Sequence, residues 1–550
     1  MKFLKVLTNS LISGLFFSSL LALLILDLNI NLTFQLKSFG QLTLSLFLIY
    51  GLFITFLCVL IYYIYRFFAS KRRPVSFISP SFLIVSFSLL TIVYLVIFKA
   101  NRDFFISFFD LRTLYFLDTQ PIFLILFSIL GIFILYTSHS SKKKYILWLF
   151  PPLFAATMIL TIFQRTNFPQ PQEKEILGNF EATKIEKKIT IIGLQGLSFD
   201  FLIPLINEGK LRNFEVLMEQ GSWGQLESFT PNEPIMLINS FNTGKFPSKH
   251  RQISPITYNF LNIKTPLEVV PRFLFFRQLL RTPILSFEPN PQQIHTKDIW
   301  TIFEDNGTTF VKKDWPFNLE IETPNQKAET TFNRFFEDLK FETDETFQLV
   351  KTALYTDVEI EESVMELKNQ IDPQMLYFFL DGLNIAESYF YKYRYPELFG
   401  ILNQDEINKY STVIERYYQF YDQIISKYLA SLKMGEEILV VYSPHGTEPL
   451  PLWKRFVEWM LGNSEISAYH ERAPEGVFFF YGQEVKKGEN ISGMKLVDIV
   501  PTLLNYLGMP VGKDMDGIVK SSIFLDEYKN PVLYISTYED YEINSQDVKK

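Results

Sequence analysis

The sequence predicts an all-α membrane domain followed by an α/β domain built on a mostly parallel sheet with helices on both faces. Three observations carry this. Five apolar runs crowd the first third of the chain, a polar Pro-bearing stretch follows them, and from Ile189 onward strand-like apolar runs alternate with helical patterns. The chain has 550 residues, 48% of them hydrophobic, with 56 Phe that are densest in the first third. A formal net charge of -7 over this length argues against a nucleic-acid partner. The one cysteine, Cys58, lies in an apolar run, so the remainder of the chain has no thiol with which to build a disulfide.

The apolar runs fall near Leu7 to Leu28, Leu42 to Phe67, Ser81 to Phe98, Pro121 to Tyr136 and Tyr145 to Phe163. Each is long enough, or nearly so, for a hydrocarbon core of about 30 Å, which gives a transmembrane domain of five helices over residues 1–165. Lys2 and Lys5 precede the first run as in a signal peptide, but the run is long and no small-residue cleavage site follows, so it reads as a retained helix. Basic connections set the orientation. Arg66, Lys71, Arg72 and Arg73 mark one loop, and Lys142, Lys143 and Lys144 mark another with His139 beside it. Both belong with Lys2 and Lys5 in the cytoplasm, which places everything after Arg165 outside it, in a periplasmic or extracellular space. Other connections are balanced, as with Lys99, Arg102 and Arg112 against Asp103, Asp110 and Asp118. The loop Asn101 to Thr119, rich in Phe and Leu, suits either a helix lying in the outer interface or an aromatic-rich loop.

Residues 166–188 have the polar composition of a linker, and 189–550 form the extracytoplasmic domain. Thr190, Ile191 and Ile192 make a β-branched run ending at Gly193, and a helical pattern (Phe201, Leu202, Leu205, Ile206) starts after Asp200. Leu376 to Leu380, Ile438 to Tyr442 and Val477 to Tyr481 read as further strands, and Ile407 to Leu432 and Met494 to Leu507 as helices. The carboxyl end of such a parallel strand is where α/β proteins place their chemistry.

The stretch Lys187 to His250 contains a strand ending in IGLQG and the turn Thr243, Gly244, Lys245. Further on, TKDIWTIFEDNG (Thr296 to Gly307) is followed by Trp315 and Pro316, and Leu496 to Val519 includes Asp498, Pro501, Thr502, Gly508, Pro510 and the turn Met515, Asp516, Gly517. These segments resemble the type I phosphodiesterase / nucleotide pyrophosphatase branch of the alkaline phosphatase superfamily. Residues 255–293 fit no element of that pattern and are expected as an insertion or cap over the sheet's ligand-binding edge. Five helices before such a domain is also the layout of lipoteichoic acid synthases and phosphoethanolamine transferases.

The resemblance implies a two-metal phosphoryl-transfer site in which cations such as zinc clamp the attacking and leaving oxygens. At the first metal, Asn384 and Ser388 in GLNIAESYFYKY stand at the Asp and His positions, and His470 in AYHERAPEG matches. At the second, Gln195 and Pro444 stand where the family has Asp, and His445 in SPHG matches. The nucleophile position, a Thr or Ser in the family, falls on Asn239. An amide offers a dication only a weak oxygen dipole and proline offers no ligand, so zinc would not be held and no cofactor is expected. Asn239 has no hydroxyl to deprotonate. Ser240 is rotated about 100° from it on a helix, and an Asn at a helix start would serve as a cap.

Asp381, Asp200 and Glu448 are the acidic residues from which a rebuilt metal site would draw. Asp381 has the alternative of capping the turn after its strand, and Lys245 that of belonging to a turn rather than meeting a phosphate. His250 and His295 are expected at the surface. The expectation is therefore a membrane-anchored, catalytically inactive phosphodiesterase-like domain used for binding or scaffolding in the cell envelope. Its partners would be the membrane and a phosphorylated lipid or glycan or another envelope protein. The alternative is an active metal-dependent phosphodiesterase or phosphoryl-group transferase with a rebuilt site.

Overall fold

A computed structural model describes residues 2–68, 75–169, 178–181, 183–254, 256–260, 266–272, 276, 285–289, 296–316, 324–339, 345–460, 462–471 and 473–544. The chain forms two units, Met1–Glu173 with Pro247–Ile294, and Lys174–Phe246 with His295–Lys550.

Five helices of the first unit are long and apolar enough to cross a membrane: α1 (Lys2–Leu28), α2 (Leu36–Phe68), α3 (Pro80–Phe104), α4 (Leu111–Ser140) and α5 (Lys144–Thr166). Helix α1 is the most enclosed, with Phe17, Leu20, Leu21 and Ile25 out of solvent. It meets α2 at small residues, where a Cβ on Gly14 would lie 2.3 Å from the Gly51 carbonyl oxygen. Such close backbone approach is what small residues permit between apolar helices. The basic loop expected at Lys71 to Arg73 lies outside the described residues, and so does His295.

The region 101–119 is not a separate interface helix. Helix α3 continues to Phe104, a single 3₁₀ turn covers Ile106–Phe108, and α4 starts at Leu111. Asp110 sets that start by accepting from the Thr113 N–H at 2.8 Å, and Arg102 ties the two helix ends together through Asp118 at 2.9 Å. Pro121, read as a helix start, is therefore inside α4, where the helix tolerates it.

The segment expected as a cap, 255–293, falls within the part of the chain that joins this helical unit, and two buried amides hold Glu268, Val269 and Arg272 of it. Asn29 Oδ1 accepts from the N–H groups of Glu268 (2.7 Å) and Val269 (2.8 Å), while its Nδ2 donates to Val269 O at 3.0 Å. Asn101 does the same for Arg272, accepting from its N–H at 2.7 Å and donating to its carbonyl at 3.0 Å. The Arg272 guanidinium lies over the Phe104 ring at 3.8 Å. Nearby, buried Arg165 sits 3.9 Å from Asp27 and donates to the carbonyls of Leu26, Asn29 and Leu32, sealing the C-terminal end of α1.

In the second unit an eight-stranded mixed sheet is built on β1 (Lys188–Leu194), β2 (Ser222–Glu227), β3 (Phe310–Lys313), β4 (Met375–Leu380), β5 (Glu437–His445) and β6 (Glu475–Tyr481), in the order β2-β6-β5-β1-β4-β3. Glu489–Asn490 and Met494–Lys495 pair beside β2. Strands β3, β4, β1 and β5 are mutually parallel, and β6 runs antiparallel to both β5 and β2.

Helices of this unit include α6 (Phe199–Asn207), α7 (Pro234–Thr243), α8 (Glu345–Ile371), α9 (Gly382–Arg394), α10 (Val413–Ser431), α11 (Leu452–Met460) and α12 (Ile499–Tyr506). Strand side chains alternate between two cores. Ile192, Phe378 and Val441 face α6, α8, α9 and α10, whereas Ile191, Tyr377 and Val440 face α7 and α12. Burial on both faces is why these strands read as continuous apolar runs.

Some boundaries differ from the sequence reading. Ile407 to Leu432 is divided between Gln404–Tyr410 and α10, and Met494 to Leu507 opens with a strand pair before α12. Within the expected spacer, Gly178–Glu181 pairs in parallel with Tyr541–Asn544.

Replacing Asn29 by Leu would strand three backbone groups of Glu268 and Val269. The expected cost is about 1–3 kcal/mol for each buried group left unpaired, read as a lower melting temperature of the full-length protein in detergent. An unchanged melting temperature would show that this clasp does not hold the segment.

Candidate functional site

Three neighbouring parallel strands end together. The N–H of Gln195, the first residue after β1, donates to Leu380 O at the end of β4 (2.9 Å), so the two strand ends are joined. Asp381 follows β4 directly, and the first two turns of α9 then carry Asn384, Glu387 and Ser388. Strand β5 ends in Ser443, Pro444 and His445. A short antiparallel pair, Glu448–Pro449 with Ala468–Tyr469, brings the chain back so that His470 stacks on His445 with ring centroids 5.0 Å apart.

The turn after β1 packs on α9. Gly196 has φ +98, and a Cβ there would lie 2.7 Å from Glu387 Oε2, so both conformation and space call for glycine. Gln195, Asn384, Pro444, His445 and His470 thus share the carboxyl edge of the sheet. Ser388 is turned to other work. Its hydroxyl donates to Asn384 O at 2.8 Å, and its carbonyl accepts from the Ser467 N–H at 2.8 Å.

Asn239 does not cap its helix. It is the sixth residue of α7, whose first flanking residue is Glu233, and its carbonyl accepts from Thr243 Oγ1 at 2.7 Å. Ser240 is fully buried one residue on. The loop leading into α7 reaches the site through Asn232, whose Nδ2 donates to His470 O at 2.9 Å. Lys245 is held by Asp514 (2.5 Å) and Glu539 (2.8 Å), in the turn where Gly244 O accepts from the N–H groups of Asp516 and Gly517. Burial pushes Glu539 up, but Lys245 together with the bonds from Thr537 and Asp514 outweighs it and holds the carboxyl below the usual glutamate range. His250, expected at the surface, is buried, with Nδ1 accepting from the Gln252 N–H at 3.0 Å. His139 is exposed at the end of α4, and Asp200 is exposed in the first turn of α6.

The residue that sequence reasoning missed is Glu387. It is fully buried, bonded to the Thr447 hydroxyl and, at 3.3 Å, to the Tyr418 hydroxyl. Its signal was available, because it lies one helical turn (i, i+3) from Asn384.

Charge is disfavoured throughout this edge. Burial raises Glu387 to about 8 against its bonds from Thr447 and Tyr418, and raises Asp381 to about 7 against its bond with Asn384. Burial, reinforced by His470, pushes His445 down to about 3. Several buried polar atoms of this edge have bonding capacity to spare. Gln195 Nε2, Asn384 Oδ1, Ser198 Oγ and His445 Nε2 are buried without a hydrogen-bond partner, as are one oxygen each of Asp381 and Glu448. Among the described residues, no three of His, Cys, Asp and Glu come together as a metal-holding group.

Fold and site together describe a chain with five candidate membrane-crossing helices and an α/β domain whose mixed sheet carries, at its carboxyl edge, a buried His445 stacked on a half-buried His470. No protein-family model matches the chain, and no curated protein matches it.

The raised Glu387 makes stability depend on pH in one direction. The folded state keeps a proton that the unfolded chain releases above the ordinary glutamate value of 4.5, so the contribution is complete below that value and is lost as pH rises towards 8. The loss approaches about 1.4 kcal/mol per pH unit. Glu387→Gln should therefore flatten the fall in melting temperature between pH 5 and pH 8, and parallel curves for the two proteins would refute the assignment.

Proposed function

We propose that the second unit is a degenerate member of the alkaline phosphatase superfamily, anchored in the membrane with its α/β domain outside the cytoplasm, that binds rather than hydrolyses. The observation that carries this is the neutrality of the carboxyl edge. Gln195, Asn384 and Pro444 occupy the positions where the resemblance calls for metal-binding carboxylates, and Asn239 occupies the nucleophile position.

The same neutrality selects among ligands. A bound phosphate dianion would bring charge into this neutral edge with Lys245 already committed to Asp514 and Glu539. Uncompensated buried charge is expensive. A hydroxyl-rich glycan headgroup suits the enclosed, unpartnered donors and acceptors of Gln195, Asn384, Ser198 and His445 better once the edge opens to admit it, because every bond it forms is neutral. Between a phosphorylated ligand and a glycan, the site therefore favours the glycan.

The test uses full-length protein in nanodiscs with aryl phosphate mono- and diesters and zinc, manganese or calcium. No turnover above the metal alone is expected, with no metal retained on elemental analysis. Metal-dependent turnover abolished by His445→Ala or His470→Ala would overturn the reading in favour of a rebuilt catalytic site. Where an oligosaccharide binds, Gln195→Ala should weaken it roughly two- to tenfold in Kd, the range of one neutral hydrogen bond.

A further inference from the structure

Helix α11 lies in the chain between Glu448–Pro449 and Ala468–Tyr469, the pair that brings His470 onto His445. None of its residues is buried. At 100° per residue, Leu452, Trp453, Phe456, Trp459 and Met460 fall within an arc of about 120°, and Lys454 and Glu458 fall on the opposite side. The exposures of those five are 79%, 64%, 58%, 64% and 57%. Isolated apolar residues at a surface need no account, but a continuous stripe of five large ones does.

The polar side fixes which way the stripe faces. Lys454 pairs with Glu471 at 2.7 Å and sits over the Tyr469 ring at 3.7 Å. Arg455 donates to Leu450 O at 2.5 Å and stacks over Phe399 at 4.0 Å. Both cations are thus tied back to the α/β domain, which holds the apolar stripe outward.

We infer that α11 is a membrane-docking helix, its stripe seated at the headgroup boundary of a lipid bilayer. Two indoles with Phe, Leu and Met make the composition that settles at that boundary. The same chain carries five helices apolar enough to cross a bilayer, so a lipid surface is present at high effective concentration. Because Lys454 and Arg455 are engaged within the domain, the attachment is apolar and persists at high salt. If the site binds a glycan as proposed above, α11 would present the histidine edge to a headgroup carried by a lipid. That last step rests on the preceding reading, whereas the docking does not.

The experiment places full-length protein, one copy per nanodisc of phosphatidylcholine and phosphatidylglycerol, in a Cys58→Ser background. An environment-sensitive fluorophore is attached at Phe456→Cys, at Trp459→Cys or at Glu458→Cys, and nitroxide-labelled lipid is the quencher. Quenching several-fold stronger at 456 and 459 than at 458, unchanged in high salt and lost when Trp453→Glu is added, is the expected result. Equal weak quenching on both faces would overturn the inference. So would quenching that vanishes in salt, or, in a parallel preparation with two copies per nanodisc, a spectral shift seen only there, which would assign the stripe to a second copy. None of these readings depends on saccharide binding, so failure of the proposed ligand leaves the docking result standing.

Discussion

A polar group taken out of water must find a partner or give up its charge, and that constraint shapes each unit of this protein. In the helical unit it is met by pairing. Asn29 and Asn101 spend both ends of their amides on peptide groups of Glu268, Val269 and Arg272, and Arg165 covers the last carbonyls of α1. In the α/β unit it is met by neutrality. Glu387, Asp381 and His445 are all displaced by burial towards their uncharged forms.

The neutral edge is a consequence of how the sheet is assembled. Parallel strands β1, β4 and β5 deliver Gln195, Asp381 and His445 to one end, and the cores on both faces exclude water beneath them. Helix α9 is seated deeply, since the Asp357 carboxylate below its start bonds Tyr417 at 2.7 Å and Tyr421 at 3.1 Å. Burial drives Asp357 well above the usual carboxylate range. An edge of this kind stabilises metal ions only when fixed negative charge accompanies them, and amides at Gln195 and Asn384 supply none.

Much of the fold was legible because it depends on local period. The runs Leu376 to Leu380, Ile438 to Tyr442 and Val477 to Tyr481 are strands within a residue or a few of their expected ends, as uninterrupted burial on two faces requires. Boundaries failed in two places. Asp110 starts α4 before Pro121, and the chain breaks between Gln404–Tyr410 and α10 inside one long helical pattern. Of the site, His445 and His470 stack at the end of the sheet, while the cap role given to Asn239 and the exposure given to His250 did not survive packing.

The sequence by itself determined the five apolar helices, the strand runs of the sheet and the residue types at its carboxyl edge, because hydropathy and side-chain chemistry are written in local spacing. Tertiary structure alone decided that Val269 would be clasped by Asn29 across 240 residues, that Thr447 would lock Glu387, and that Lys454 and Arg455 would turn the stripe of α11 outward. Those outcomes depend on which distant groups share a buried volume, and no period along the chain encodes that.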